Sequence, residues 1–382
     1  MLTKLRFKNF KSFTQETVIS LEKTKYTILD ESNTCDSVLK GCCFYGSNAS
    51  GKTNALGAVT FLLDLLLKDY PYSLDTIFTI FNKEKKMYFE YTFKIDDSII
   101  VYYFEFSRDG KIVEERLTLD NEVVLERLVN SAKTSLTETV DYDKDSVDEN
   151  ILFLKKIYFN TKFMGFPKLR SWFDYLKNSI YLNPIRQIGK IILFDAAKAK
   201  DIEIISYLNK YGVEEINSFF KEFNFPYKIK YDNKTVNPFI QPLSKISFVR
   251  ESLPDVPFLM ESYGNTMLLS ILPSFLKVIK EGGILAIDEF SSGLHNELEE
   301  LLIKYFYSHS TNAQLFFVSH STNLLKTSIL RPDQIYSVDL NYKGSLLKKF
   351  SDEKPRESQN LEKMYLSGVF GGIPLYGDIE QI

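Results

Sequence analysis

Cysteine, histidine and tryptophan are scarce in this 382-residue chain, which has three, three and one of them. Cys42 and Cys43 are adjacent and Cys35 stands apart, with no Cys or His partners at the spacing that a zinc site needs. Three cysteines also cannot build a disulfide framework. We therefore expect reduced cysteines that act as small apolar side chains.

Long apolar runs are missing as well. The longest ones are interrupted by Asp64 and by Pro273, and they are too short to span a bilayer. The N-terminal sequence MLTKLRFKNFKSF alternates polar and apolar residues and lacks the apolar core of a signal peptide. These absences predict a cytoplasmic protein with no membrane partner.

The chain has no strong excess of charge of either sign, since 47 Lys and Arg against 50 Asp and Glu give a net charge of −3. This balance does not indicate DNA binding, although a local basic groove is compatible with it. No sustained heptad pattern is present, which excludes a long coiled coil. Apolar residues are abundant at 44%, with 31 Phe and 23 Tyr, and suffice for a large core.

The most specific motif is the octapeptide GSNASGKT, which fits the phosphate-binding pattern G-x-x-x-x-G-K-[ST] at each defined position. Residues 38–45 before it predict a buried strand, and residues 54–68 after it have a helical composition. Backbone N–H groups of such a loop point at an anion. The predicted nucleotide-binding residues are Gly46, Ser47, Asn48, Ala49, Ser50, Gly51, Lys52 and Thr53. Lys52 is expected to reach the β- and γ-phosphates of ATP, and the Thr53 hydroxyl to bind Mg²⁺.

A second apolar run, residues 283–287, ends in two acids, Asp288 and Glu289. We expect Asp288 to join the Mg²⁺ shell and Glu289 to orient or deprotonate the attacking water. Asp288 follows Lys52 by 236 positions, more than in many P-loop folds. A long segment is therefore inserted into the nucleotide-binding domain.

The pentapeptide SHSTN occurs twice and carries two of the three histidines, His309 and His320. His309 follows residues at helical spacing, which predicts a helix end and a surface position. His320 follows the short apolar run QLFFV, which is typical of a buried strand. Because open α/β sheets bind ligands at the carboxyl ends of their strands, the prediction favours His320 as the functional histidine.

The middle of the chain predicts strands first and helices later. MYFEYTF and IIVYYFEF, separated by a turn at Asp96-Asp97-Ser98, and then IVEERLTL and EVVLERLV, indicate an antiparallel sheet. ETVDYDKDSVDE is interpreted as a solvated acidic loop. SWFDYLKNSIYL and AKDIEIISYLNKYGVEEINSFFKEF are interpreted as helical. The predicted fold is α/β, with a nucleotide-binding domain in two parts (1–120 and 245–382), a flanking antiparallel sheet and a mostly helical insertion (121–244).

Several further motifs carry a resemblance to a known family. They are LRFKNFKSF near the N-terminus, Asn48 and Asn54 in the form GSNASGKTN, ESYGNT before a helix-like run, and SSGLH directly after Glu289. Together they resemble the ABC-type P-loop ATPases of the SMC, RecF and OLD kind. The resemblance makes ESYGNT the signature motif, SSGLH with His295 the D-loop, and His320 the switch histidine.

The resemblance implies that ATP and Mg²⁺ are held between two subunits of a homodimer or higher homo-oligomer. Ser262 and the N–H of Gly264 in one subunit would face the γ-phosphate held by the other's glycine loop, to which Asn54 also belongs. Tyr263 replaces the small residue of the common transporter signature. Asn265 stands where this family has a small hydroxyl residue, which leaves the hydrolysis rate open.

Two C-terminal stretches, RPDQIY and YLSGVFGGIP, carry a narrower resemblance, to the compact AAA-type ATPases of bacterial phage-defence operons, similar to RloA and the ATPase of the AbiL system. It implies an ATP-driven switch that senses infection and controls a separate effector protein in abortive infection. No TOPRIM-like acidic cluster follows His320, so nuclease activity would belong to another protein.

The alternatives are a RecF-like DNA-repair ATPase, a scaffold that binds ATP without hydrolysing it, and a transporter subunit. The last is disfavoured because the nucleotide motifs lie so far apart in the chain.

Overall fold

The computed structural model describes residues 1–68, 76–183, 190–193, 202–232 and 242–373. Its helices are α1 (Asp30–Asn33), α2 (Lys52–Leu67), α3 (Phe153–Thr161), α4 (Pro167–Lys177), α5 (Ile204–Tyr211), α6 (Glu214–Glu222), α7 (Tyr263–Glu281), α8 (Asn296–His309) and α9 (Leu361–Leu366). No helix in these ranges is long and apolar enough to cross a membrane.

The strands up to the middle of the chain are β1 (Leu2–Lys8), β2 (Thr17–Ser20), β3 (Thr34–Cys35), β4 (Val38–Leu39), β5 (Gly41–Tyr45), β6 (Lys86–Ile95), β7 (Ser98–Ser107), β8 (Ile112–Leu119), β9 (Glu122–Leu128), β10 (Ser131–Thr134) and β11 (Asp141–Tyr142). The later strands are β12 (Ile180–Leu182), β13 (Lys190–Leu193), β14 (Ile202–Glu203), β15 (Lys228–Tyr231), β16 (Ile246–Val249), β17 (Val256–Pro257), β18 (Gly283–Ile287), β19 (Ala313–Val318), β20 (Ile335–Asn341) and β21 (Gly344–Lys349).

Two eight-stranded sheets organise the fold. The first is antiparallel, in the order β11-β10-β9-β8-β7-β6-β1-β2, and confirms the predicted flanking sheet. The second has the order β14-β13-β12-β18-β19-β5-β20-β21, and its strands from β12 to β20 are parallel. Since β5 and β18 are separated only by β19, the two nucleotide motifs end at the same edge of this sheet.

Helix α2 lies between the two sheets. Its composition is apolar on nearly every side, which suits a helix that is buried all round. The Phe61 ring packs 4.8 Å from the ring of Phe89 on β6, and the Tyr91 hydroxyl donates to the carbonyl of Ala58 at 2.6 Å. Strand β6 buries alternate residues, as expected for a strand with one face on the core. The helix that follows the glycine loop is thereby held rigidly.

The segment 121–244, predicted as a mostly helical insertion, contributes strands to both sheets. Strands β9, β10 and β11 extend the antiparallel sheet, and β12 pairs in parallel with β18. The prediction of one helical stretch over SWFDYLKNSIYL is wrong in its second half, because α4 ends at Lys177 and Ile180–Leu182 form β12. The helical interpretation of residues 199–223 is confirmed by α5 and α6 but is wrong at Ile202–Glu203, which form β14. Residues 199–201 lie outside the described residues.

The motif RPDQIY has a structural role. The Arg331 side chain is fully buried and forms an ion pair with Asp333, with Nε and Oδ1 at 2.9 Å. Asp333 in turn accepts hydrogen bonds from the N–H and hydroxyl of Thr24, both at 2.8 Å. The guanidinium also bonds Tyr26, Ile28 and Asp30. This network fastens the loop before α1 to the start of β20, more than 300 positions away.

The motif YLSGVFGGIP packs against β20 and against Phe350, which follows β21. The Phe370 ring stacks on Phe350 with centroids 3.7 Å apart, and the Ser337 hydroxyl donates to the Phe370 carbonyl at 2.5 Å. The Tyr365 hydroxyl donates to the Gly372 carbonyl at 3.0 Å. The motif's last residue, Pro374, lies outside the described residues.

We predict that Arg331→Met destabilises the fold by about 3–5 kcal/mol, because it leaves the buried Asp333 carboxylate without its cation. Denaturant unfolding of both proteins measures the loss. Arg356→Met, at an exposed position, is the matched control and should stay within about 0.5 kcal/mol of the parent. A loss below about 1 kcal/mol for Arg331→Met would contradict the proposed structural role.

Candidate functional site

A cavity of about 910 Å³ lies at the carboxyl ends of the parallel strands. It brings together most of the residues that the sequence nominated, from segments more than 230 positions apart. Its lining comprises Asn48, Ala49, Gly51, Lys52, Thr53, Asn54, Asn183, Asp288, Glu289 and His320. The predicted residues Gly46, Ser47 and Ser50 belong to the same loop but do not line the cavity, and Ser262 and Gly264 lie outside it.

The loop between β5 and α2 has the backbone of a phosphate cradle. Ala49 and Gly51 adopt positive φ angles of 61° and 111°. A Cβ atom on Gly51 would come within 2.7 Å of the Ser12 hydroxyl and would clash with that of Ser345, so no larger residue fits there. The Ser345 hydroxyl donates to the Ser50 carbonyl at 2.6 Å. Strand β21 and the turn after β1 thus brace the loop at the start of α2.

Lys52 points into the cradle. Its ammonium group donates to the carbonyls of Gly46 at 3.0 Å and Ser47 at 2.7 Å, at the heart of the loop. Burial lowers the pKa of Lys52, while the negative charges of Glu289 and Asp288 oppose that shift. A phosphate in the cradle would supply the oxygen acceptors that the lysine now finds in the loop carbonyls.

The Thr53 hydroxyl, in the first turn of α2, contacts the Asp288 carboxylate, which follows β18. Thr53 Oγ1 donates to Asp288 Oδ1 at 3.0 Å. The other oxygen, Oδ2, accepts from the amide of Asn183 at 3.2 Å. A hydroxyl and a carboxylate at this distance beside a phosphate loop are oxygen ligands of the kind that Mg²⁺ prefers. The donor set therefore fits a magnesium ion held with a nucleotide.

Glu289 and His320 face each other at the carboxyl ends of the neighbouring strands β18 and β19. Glu289 has a positive φ of 60°, a conformation that is unusual for a residue with a side chain and typical of functional positions. His320 Nε2 lies 3.7 Å from Glu289 Oε2. Burial and the charge of Lys52 lower the pKa of His320, against the opposing charges of Glu289 and Asp288. The imidazole is therefore neutral at pH 7.

The two other histidines lie away from this cavity. His309 ends α8, as the sequence predicted, and is partly exposed. His295 caps the N-terminus of α8, where its Nδ1 accepts from the N–H of Glu297 at 3.4 Å. The structure thus separates the two SHSTN pentapeptides, and only the second reaches the cavity.

The motif ESYGNT, predicted to precede a helix, overlaps the start of that helix: α7 begins at Tyr263, and Ser262 is its N-cap residue. Its helix N-terminus rests on the loop after Glu289. Gly293 has a φ of 84°, and a Cβ atom there would clash with the ring of Tyr263. The large ring of Tyr263 therefore fits at this position of the motif because Gly293, which it contacts, has no side chain.

Asn265 is held by a polar network that explains its presence. Its amide nitrogen donates to Glu261 at 3.1 Å, and its oxygen accepts from the Tyr227 hydroxyl at 2.9 Å. Glu261 also pairs with Arg250 at 2.7 Å. Burial alone would raise the pKa of Glu261, but the bonds from the Ser262 N–H, Arg250 and Asn265 outweigh it, and the pKa is lowered. These bonds tie the ESYGNT segment to Tyr227, directly before β15, and to Arg250, directly after β16.

Sequence reasoning missed Asn183 and the bracing serines. Asn183 follows the three-residue strand β12, and the only local signal was a polar residue after the apolar run IYL. The sequence predicts a helix over that run, and the end of a helix is not where an α/β sheet places its ligand-binding residues. Ser12 belongs to the N-terminal motif LRFKNFKSF, but neither its local sequence nor that of Ser345 shows a contact with the loop, because the two serines come from opposite ends of the chain. Ser12 also accepts a hydrogen bond from the Asn54 amide at 2.8 Å.

We predict that Asn265→Ser destabilises the protein by about 1–3 kcal/mol, because the shorter side chain cannot bond both Glu261 and Tyr227. Denaturant unfolding measures this loss, with exposed Asn296→Ser as the control. Combining the change with Tyr227→Phe should give less than the sum of the single losses. Strict additivity would show that the hydrogen bond between the two residues contributes nothing.

Comparison with known proteins gives a family and a fold. Residues 42–326, about three quarters of the chain, match the family described as "AAA domain, putative AbiEii toxin, Type IV TA system". No curated protein sequence matches the chain. Among solved structures, the SMC head domain from Thermotoga maritima is similar, with a TM-score of 0.51 and 16% identity over 91% of this chain and 98% of that one.

An SMC head domain bound to the C-terminal winged-helix domain of ScpA is also similar, with a TM-score of 0.51 and 14% identity over 91% of this chain and 96% of that one. At these identities the similarity concerns the fold, which is that of an SMC-head P-loop ATPase domain. From the extent of the family match, the chain belongs to the family of AbiEii-type AAA domains, and its fold is that of SMC head domains.

Proposed function

We propose that the protein binds ATP with Mg²⁺ and hydrolyses it, and that the nucleotide state acts as a switch. The hydrogen bond between Thr53 and Asp288 carries this proposal. This bond joins Thr53, at the end of the phosphate loop, to the carboxylate of Asp288, which follows β18. A P-loop ATPase needs such a hydroxyl and carboxylate close together to bind its metal ion. The match to an AAA-domain family and the similarity of the fold to an SMC head domain support it.

Five side chains of the cavity have a proposed task. Lys52 and the loop N–H groups bind the β- and γ-phosphates. Thr53 and Asp288 would hold Mg²⁺, which would supply positive charge beside the phosphates. Glu289 orients the attacking water and accepts its proton. His320, neutral at pH 7, lies beside Glu289 and would donate a hydrogen bond to it or to the terminal phosphate of a bound nucleotide.

We further propose that a second copy of the chain completes the site. Ser262 and Gly264 lie outside the cavity of their own subunit, at an exposed helix N-terminus suited to an anion. The residues around them include exposed apolar side chains: Leu259, Met260 and Tyr263 are 54%, 79% and 50% exposed. Apolar side chains clustered beside an anion-binding turn suit a surface that is covered when two subunits close over ATP.

The biological role that we propose is a cytoplasmic switch in bacterial phage defence, which acts on a separate effector protein. The family description, which names a toxin of type IV toxin–antitoxin systems, supports such a role. A similar SMC head is bound to another protein, ScpA, and this supports a protein partner.

DNA binding of the RecF type finds no specific support. The outer face of the antiparallel sheet carries several cations, but carboxylates neutralise them. Arg6 pairs with Glu90 at 3.4 Å, and Lys86 pairs with Glu105 at 2.6 Å. A surface that attracts a phosphate backbone needs cations in excess of nearby acids.

We predict that Glu289→Gln lowers the rate of ATP hydrolysis by about 10²–10⁴-fold, because the water loses its proton acceptor. The variant still binds ATP, so light scattering should give twice the monomer mass with Mg-ATP and the monomer mass without it. Adding Ser262→Ala to the variant should weaken this association. A mass that stays monomeric in Glu289→Gln with saturating Mg-ATP would refute the two-subunit site.

We predict that Asp288→Asn weakens binding of Mg-ATP by roughly 10- to 100-fold, since one charged ligand contact of about 1.5–3 kcal/mol is lost. Binding of ATP in EDTA should change much less, because that contact is then absent from both proteins. Nucleotide titration under both conditions measures the difference. Asp143→Asn, on the exposed acidic loop, is the control. Equal losses with and without Mg²⁺ would remove Asp288 from the metal site.

A further inference from the structure

The C-terminal segment (residues 361–372) has no place in the proposed reaction, although it contacts two of the loops that form the nucleotide site. It comprises α9 and most of the motif YLSGVFGGIP. None of its residues, which the structure describes throughout, lines the nucleotide cavity. Its contacts are with the start of the glycine loop and with the histidine loop (residues 319–325), which carries His320.

The contact with the histidine loop is a hydrogen bond. The hydroxyl of Thr322, two residues after His320, donates to Oε1 of Glu362 at 2.6 Å. A hydrogen bond to an ionised acceptor is short and roughly twice as strong as one between neutral groups. Helix α9, which carries Glu362, is anchored in the core, because Leu361 and Phe370 on either side of it are fully buried. The bond therefore holds the histidine loop against a fixed element.

The contact with the glycine loop is made by backbone atoms. Gly372 has a φ of 72°, and a Cβ atom added to it would lie 3.4 Å from the Cα atom of Gly46 and 3.2 Å from the Val338 carbonyl oxygen. The first residue of the glycine loop is thus in close contact with the C-terminal segment. A Cβ atom on Gly46 would clash with the same Val338 carbonyl, so both glycines pack closely on β20.

Two tyrosines join these contacts into one unit. The hydroxyl of Tyr45, the last residue of β5, donates to the carbonyl of Ser321, next to His320, at 3.0 Å. The ring of Tyr45 packs against the ring of Tyr365 on α9, with centroids 6.0 Å apart. The Tyr365 hydroxyl donates to the Gly372 carbonyl at 3.0 Å. The C-terminal segment therefore links the start of the glycine loop to the histidine loop.

We propose that the C-terminal segment is a positioning element for the reaction, with Glu362 as the residue that determines where His320 lies. This inference rests on the proposed ATPase function. Glu362 acts through Thr322 on the histidine loop, and Gly372 acts on the glycine loop. One segment thereby sets the distance between His320 and the terminal phosphate of a bound nucleotide. Such distances matter, since a displacement of about 1 Å can lower a rate by about 100-fold.

The first test compares kcat and KM for ATP in Glu362→Ala and Glu362→Gln. We expect Glu362→Ala to lower kcat by about 10- to 100-fold, because His320 loses its position, and to change KM by less than about twofold, because no phosphate contact is removed. Glu362→Gln should recover most of the parent's kcat, since its Oε1 atom still accepts the hydrogen bond from Thr322. Lys363→Ala, an exposed change on the same helix, is the control and should keep the parent's kcat.

A double-mutant cycle separates positioning from a general loss of stability. Thr322→Val keeps the branched shape of the side chain but removes the hydroxyl, so it should lower kcat about as much as Glu362→Ala. The two changes together should lower kcat no further, since both break the same hydrogen bond. A purely structural role predicts lower melting temperatures with the parent's kcat in the folded variants.

The second test measures ATP binding and needs no hydrolysis. Gly372→Ala and Gly368→Ala both place a side chain at a positive φ, of 72° and 86°, but a Cβ atom at Gly368 meets nothing within 4 Å. The cost of the backbone conformation is therefore common to both variants. We expect only Gly372→Ala, whose new methyl group presses on Gly46, to weaken ATP binding, by on the order of 10-fold.

The outcomes distinguish the positioning role from the ATPase function. The parent's kcat in Glu362→Ala, or equal ATP affinities in the two glycine variants, overturns the positioning role and leaves the ATPase function intact. Independent losses of kcat in the cycle would show that Glu362 does not act through Thr322, which also overturns it. If the parent hydrolyses no ATP, the proposed function fails, and the role of Glu362 fails with it.

Discussion

Parallel pairing of β5, β19 and β18 is the constraint on which the site depends. It places the ends of three strands side by side, so that the glycine loop, Asp288 with Glu289, and His320 converge on one cavity. Parallel strands need long crossover connections. Here β5 is separated from β18 and β19 by more than 200 residues of the chain. The Thr53–Asp288 hydrogen bond is the local result of this global pairing.

Hydrogen bonds between the N-terminal and C-terminal parts of the chain stabilise that arrangement of strands. Gln314, fully buried at the start of β19, bonds the backbone of Leu2 in both directions, the Leu39 carbonyl and the Tyr175 hydroxyl. A buried amide with all its partners present fixes the relative position of β1, β4 and α4. The Arg331 network does the same between the loop before α1 and β20, so the C-terminal part contributes to the nucleotide-binding unit.

The elements around the glycine loop were predictable because their signals are local. A buried strand, a glycine loop and an apolar helix are adjacent in the chain, and the structure confirms β5 and α2. The hairpin of β6 and β7 was equally accessible, since alternation and a two-residue turn at Asp96-Asp97 specify it. Strand β12 was not, because three residues carry no periodicity and its partner β18 lies 105 positions away.

The sequence by itself determined which chemistry the protein can perform: a phosphate loop with its lysine and threonine, two acids at a strand end, and a histidine after another strand. Tertiary structure alone decided that Asn183 joins Asp288 and that Ser12 and Ser345 lie against the glycine loop. The reason is physical. A motif reflects the backbone geometry that consecutive residues adopt. Burial, pKa and hydrogen-bond partners depend instead on side chains that only folding brings together.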